Sequence, residues 1–214
     1  MILKIPAILI AVISILAACA QQASSSGGVH RLVEDRKLIM GTEIRIQIPV
    51  ASDDEEALAH RAIDKAVKAA SADGASVSIG LAIDKEVSAL KECGIANAFV
   101  NSAAEMYSLG MKTDEEMWKA WIPHLTDKGK VLAFLRLKNE AIATVSDNTG
   151  SASVVADTAG DAERLAKELL AQGADGLKTA EALGLDALLV MKDGNKLKTG
   201  LSGGFKEQYG NKKN

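Results

Sequence analysis

The 214-residue sequence is short of aromatics, cysteine and histidine, and each shortage narrows what the chain can be. Aromatic residues make up 3% of it, so Ile, Leu, Val and Ala must build the core. None of the three histidines has a second at metal-ligand spacing, which leaves no zinc pattern; His60 is expected on an exposed helix face. The net charge of -3, with signs interspersed, argues against nucleic acid as a partner. There is no internal repeat and no long low-complexity segment. The length suits one domain with a sizeable core.

What is present begins with an export signal. Lys4 supplies a thin positive region, Ile8 to Ile15 form an apolar run, and Leu16-Ala17-Ala18-Cys19 places small residues before a cysteine. Residues 1–18 therefore read as a lipoprotein signal peptide, in preference to a membrane anchor, because the apolar run is too short to span. Cys19 becomes the lipidated N-terminus, and residues 19–30 form a flexible polar tether. This places the protein on a bacterial membrane, facing the periplasm. Only Cys93 is then left as a thiol, so no intramolecular disulfide can form; beside Gly94 at a helix end it reads as a small packed residue.

Along the chain, Ile44, Ile46 and Ile48 alternate with Arg45 and Gln47 in a half-buried strand reached through Met40-Gly41-Thr42. Ser52 and Glu55 form a capping box for a helix with Leu58, Ile63 and Val67 on its apolar face, ending near Asp73-Gly74. Ile83, Val87 and Leu90 mark a second helix, with Gly94 as its left-handed cap. A buried strand beginning at Ala98 follows, and Asn101 to Glu105 at its end is where α/β folds tend to place ligands. Val131 to Leu137 is a strongly apolar strand, expected to pair with Ala141 to Thr144 across Lys138-Asn139-Glu140. After a strand over Ser153 to Ala156, Thr158 caps a helix with Ala162, Leu165, Ala166, Leu169 and Leu170 inward. A short helix and a hairpin turning at Asp193-Gly194 complete the reading.

Several of these pieces, in this order, resemble the ApbE family, periplasmic flavin transferases that are magnesium-dependent FAD:protein FMN transferases. The lipobox Leu16 to Cys19 and Met40-Gly41-Thr42 match the family's start. Gly80-Leu81-Ala82-Ile83-Asp84 resembles the family's Gly-Tyr-Ala-Val-Asp, and Gly94 to Asn101 resembles the strand after it. Ala141 to Thr144 and Thr149-Gly150 resemble two later motifs, Ser153 to Ala162 the segment carrying an acidic metal ligand, and Gly203-Gly204-Phe205 a C-terminal strand. The resemblance implies an α+β fold, T-fold-related and truncated, with a mixed, mostly antiparallel sheet and packed helices. It implies residues 31–205 as the flavin transferase domain and 206–214 as a basic tail.

The same resemblance implies FAD as substrate, Mg2+ as cofactor and an acceptor protein with a target threonine. Met40, Asp84, Asn101 and Thr144 would line the FAD site; Asp161, with the backbone carbonyl of Ser78, would hold the metal. Such a transfer needs a cation against the pyrophosphate and a base for the hydroxyl proton. Asp161 also reads simply as an acid favoured by the dipole at a helix start. Departures from the family's pattern are visible. Ile79 stands for a lysine, Ala103 and Ala104 for paired glycines, Leu165 or Lys167 for a threonine, and the loop Val145 to Asn148 lacks a histidine. Two readings remain: a flavin transferase, or a catalytically inactive anchored lipoprotein keeping the fold as a flavin-binding or protein-interaction module.

Overall fold

The computed structural model describes residues 31–72, 78–127, 129–194 and 196–209. The signal peptide, Cys19, the tether, Asp73-Gly74 and the last five residues of the tail lie outside these. Eight strands form one sheet in the order β1(Arg31–Ile39), β2(Thr42–Val50), β3(Ala98–Asn101), β4(Glu105–Leu109), β7(Glu140–Ser146), β8(Gly150–Ala156), β9(Asp186–Asp193) and β10(Lys196–Leu201). Every neighbouring pair in it runs antiparallel. Strands β5(Trp118–Pro123) and β6(Val131–Leu137) form a separate ribbon. Helices α1(Asp53–Ser71), α2(Ile79–Glu92), α3(Ala159–Ala171), α4(Gly176–Ala182) and α5(Gly203–Tyr209) complete the order.

Alternation along the strands sorts the core into two sides. Ala98, Val100, Tyr107, Ala141 and Ala143 face the helices and join Ile63, Ile83 and Leu90 in one cluster. Farther along, Val154 and Leu189 meet Ala166 and Leu169 of α3. On the opposite face, Phe99, Met106, Ile142, Leu188 and Val190 pack under the ribbon and under Phe205. The scarce aromatics concentrate there: Trp118 stacks on Phe99 with centroids 5.4 Å apart, and its indole N–H donates to the Leu109 carbonyl at 3.1 Å.

Local signals explain the helix ends. Ser52 accepts the Glu55 N–H, while the Glu55 carboxylate takes the Ala51 N–H instead of completing the box on Ser52 itself. Ser78 caps α2 through the Leu81 N–H, and Thr158 caps α3 through the Asp161 N–H. Small residues dominate the packing side of α1: Ala59, Ala62, Ala66 and Ala70 are buried with Ile63.

One strand goes beyond the sequence reading and two expectations are corrected. First, Arg31–Ile39 is a strand in its own right, paired along its whole length with β2. Its charged middle, Glu34 to Lys37, hid it. The turn between them is two residues, Met40 and Gly41, both at positive φ (+52° and +78°), the mirror-image turn that suits strand twist. Second, β6 pairs with β5 and not with β7, which lies between β4 and β8. Leu135 and Leu137 reach the β7 residue Ile142 face to face across layers, so their burial reflects stacking and not edge pairing. Third, Gly203-Gly204-Phe205 starts a helix and not a strand, and Lys206 of the expected tail belongs to that helix. Ser202 sets it up by accepting the Ala187 and Phe205 N–H groups.

Candidate functional site

The head of α3 meets α2 at unusually close range. The Asp84 carboxylate on α2 accepts two N–H groups from the first turn of α3, Ala159 at 2.7 Å and Gly160 at 2.8 Å. Close approach requires Gly80, where a Cβ would stand 2.6 Å from the Ala159 carbonyl oxygen and 2.8 Å from Glu163 Oε2. The Gly80 N–H donates to that same Glu163 oxygen at 2.9 Å, so the carboxylate of α3 ties back to the start of α2. Burial raises the Asp84 pKa, with the Asp161 charge acting in the same direction, against the lowering effect of the two amides. For Glu163 burial also pushes upward, but the Lys167 ammonium, the Ser78 hydroxyl and the Gly80 amide outweigh it, and the carboxyl stays below its ordinary value.

Beside this junction is an open recess of about 420 Å³, bordered by Ser78, Leu81, Thr158, Asp161, Arg164 and Lys167. Asp161 is on its rim, with half its side chain in solvent (54%). Its Oδ2 accepts the Thr158 hydroxyl at 3.1 Å, and its Oδ1 accepts the Arg164 guanidinium at 3.1 Å. Arg164 also bonds Glu168 at 2.8 Å, and Lys167 bonds Glu163.

A second recess, about 250 Å³, is lined by Thr42, Arg45, Asn101, Ser102, Ala103 and Trp121. Asn101 is buried there, with Nδ2 donating only a long bond to the Ser102 carbonyl (3.4 Å) and Oδ1 left without a partner among the described residues. Arg45 Nε likewise lacks a hydrogen bond, although it stands 3.5 Å from Glu34 Oε1. The Ser102–Glu105 turn borders this second recess through Ser102 and Ala103. The Ser102 hydroxyl donates to Glu105 Oε2 at 2.6 Å, and Glu105, raised by burial, also feels Glu163 upward and Lys167 downward.

The structure thus brings Asp84, Asp161 and Ser78 together at the head of α3 and places Asn101 in the second recess. Met40 occupies the exposed tip of the β1–β2 hairpin. Thr144 is buried in the sheet, 2.9 Å from the Ser153 hydroxyl of its cross-strand partner, and its N–H donates to the Ala104 carbonyl. Asp147 folds onto its own turn, accepting from Thr149 and Gly150, and those bonds hold its carboxyl below the usual range, which does not suit a general base. Sequence reasoning missed Glu163 and Arg164. Their signal was the three-and-four spacing of Asp161, Arg164 and Glu168, and of Glu163 and Lys167, on one helix.

Magnesium asks for hard oxygen donors free to turn toward it. Around the first recess the carboxylates are engaged by cations, hydroxyls or amides of the chain itself, and the Ser78 carbonyl accepts the Ala82 N–H at 3.0 Å. Among the described residues no group of three His, Cys, Asp or Glu side chains is arranged to hold a metal. The donors present do not fit a resident magnesium centre.

Comparison with known proteins agrees with the sequence pattern. A family model described as the ApbE family matches residues 31–150. The crystal structure of Pseudomonas stutzeri flavinyl transferase ApbE in its apo form superposes with a TM-score of 0.68 at 16% identity, covering 86% of this chain and 98% of that one. The flavin transferase ApbE from Vibrio cholerae gives 0.64 at 14% identity, with 84% and 100% covered. The ApbE protein of Thermotoga maritima gives 0.63 at 13% identity, with 84% and 99% covered. No curated protein matches the chain by sequence.

Proposed function

The chain belongs to the ApbE family, whose model matches more than half of its length, and on that premise we propose that it is a flavin transferase acting on FAD. Family membership carries this reading; the recess lined by Asn101 and Trp121, where a buried amide oxygen has no partner among the described residues, supports it as a place for a polar ligand. The reaction is transfer of FMN from FAD to a threonine hydroxyl of an acceptor protein. The threonine oxygen forms a bond to the FMN phosphorus, the bond from that phosphorus to the bridging oxygen breaks, AMP leaves, and the hydroxyl proton passes to solvent or buffer base. Asn101, with its unpartnered buried acceptor, and the Trp121 indole would orient the flavin end. The Asp84 clamp holds the head of α3 in register with α2. Magnesium assistance is what the family resemblance implies, but no step is assigned to it because the donors do not fit. The lipobox at Leu16 to Cys19 supports anchoring to a bacterial membrane on the periplasmic side.

A second reading is favoured by the internal pairing of Asp161, Glu163 and Glu168. In it the chain binds flavin, or a partner protein, without turnover. One experiment separates the two. Full-length protein is mixed with FAD and a threonine-bearing acceptor segment, and AMP release is followed together with flavin fluorescence on the acceptor. Both signals, weakened together in Asn101→Ala, are expected for the transferase. FAD binding without AMP supports the second reading, and absence of both overturns any flavin function.

A further inference from the structure

We propose that Arg45 and Asn101 together read the imide edge of the flavin ring, its carbonyl–NH–carbonyl side, so that the ring enters the second recess with its pyrimidine end first. The two residues are cross-strand partners on β2 and β3, and both line that recess. Neither satisfies the other. Arg45 Nε is a buried donor and Asn101 Oδ1 a buried acceptor, both without a hydrogen bond among the described residues, and Asn101 as a whole is 6% exposed. Buried polar atoms are bonded in the great majority of cases, so an open donor and an open acceptor in one recess point to a ligand that carries both functions. Asn101 Nδ2 adds a second donor, since only one of its two hydrogens goes to the Ser102 carbonyl, at 3.4 Å. Two donors and one acceptor match the two carbonyls and one N–H of an imide. Charge favours this neutral edge over a phosphate. Arg45 Nε lies 3.5 Å from Glu34 Oε1, Arg36 is 3.0 Å from the same oxygen and 3.6 Å from Glu43, and Glu43 lines the recess. Two glutamates therefore offset the two arginines, and the Asn101 oxygen would repel an anion. Trp121 adds an aromatic surface for a flat ring.

The inference rests on the reading of the protein as acting on FAD, and its test separates the two. Full-length protein, with no acceptor present, is titrated with FAD and with N3-methyl-FAD, in which a methyl group replaces the imide hydrogen, and flavin fluorescence is followed. FAD is expected to bind at least about tenfold more tightly, because the methyl group removes the donor that Asn101 Oδ1 needs and leaves that oxygen unpaired. Asn101→Leu, close in volume and without polar atoms, is expected to weaken FAD and to bring the two ligands within about twofold of each other. Arg45→Met is expected to weaken both ligands alike, by about threefold or more, since the carbonyl it meets is present in each. Circular dichroism checks that the variants are folded, and the comparison of ligands on the wild type needs neither of them. Equal wild-type affinities for FAD and N3-methyl-FAD overturn the proposal and leave the flavin reading standing, with water alone serving the two atoms. Discrimination that persists unchanged in folded Asn101→Leu overturns it too, as does a folded Arg45→Met protein that binds FAD like the wild type. Binding of neither ligand overturns the flavin reading itself.

Discussion

Asp84 on α2 and Gly160 on α3 are joined by a hydrogen bond of 2.8 Å from the glycine N–H to the carboxylate, with Ala159 supplying a second to the other oxygen. Seventy-six residues separate the partners in sequence. The two bonds satisfy two of the amides that a helix start leaves open, and they do so from a neighbouring helix and not from the local cap. Asp84→Asn keeps the shape but turns an N–H group toward one of those amides. A loss of about 1–3 kcal/mol is expected from urea unfolding, with the midpoint falling and the slope unchanged. An unchanged midpoint would mean that the helix head holds without the clamp.

Glu86 is fully buried on α2, and neither carboxylate oxygen has a partner among the described residues. Burial pushes its pKa from 4.5 up to about 8. Between those values the folded chain holds a proton that the unfolded chain has released, so stability falls as pH rises through this window. The contribution is fully present below 4.5 and lost as pH passes about 8. Glu86→Met removes the buried acid at similar volume. It is expected to flatten the stability curve over this window and to gain on the order of 3–5 kcal/mol at its upper end. Parallel slopes for wild type and variant in unfolding measured from pH 5 to pH 9 would contradict it.

At Gly80 the constraint is steric. A methyl group there meets the Ala159 carbonyl oxygen at 2.6 Å, and neither backbone can yield without parting α2 from α3. Gly80→Ala is expected to cost about 1–3 kcal/mol despite the better helix propensity of alanine. Thermal unfolding measures it, and a variant as stable as the wild type would show that the helices can slide.

Met40 lies at φ +52°, a conformation that costs a residue with a side chain about 1–2 kcal/mol and that asparagine adopts more readily. Met40→Asn should therefore raise the melting temperature. If the thioether contacts flavin, as the family resemblance implies, the same variant binds FAD more weakly. Fluorescence titration with FAD decides this, and unchanged affinity removes Met40 from the site.

The helices were legible because their signals are local. Ser52, Thr158 and Gly94 stand where caps are needed, and the spacing of Ile83, Val87 and Leu90 marks the buried face of α2. Strand partnership is a long-range property, and it was there that local pattern misled. Nothing within Val131 to Leu137 states that its partner precedes it, and the apolar run reads the same in a ribbon as in the main sheet. The meeting of Asp161, Ser78 and Asp84 was visible only through family resemblance. What each acid bonds to was not, because Asp84 and Gly160 become neighbours only when α3 docks. The Arg164 bridge, by contrast, was written in the spacing of α3 itself.

The two tryptophans, three residues apart on β5, live in unlike surroundings. Trp118 is sealed against Phe99 with its indole N–H committed to Leu109, while Trp121 is only partly covered and borders the hollow that holds Asn101. The chain therefore carries its own optical gauge. With Trp118→Phe the remaining emission comes from a single indole at the mouth of that hollow, dimming as a flavin arrives and brightening as it departs, with no label attached.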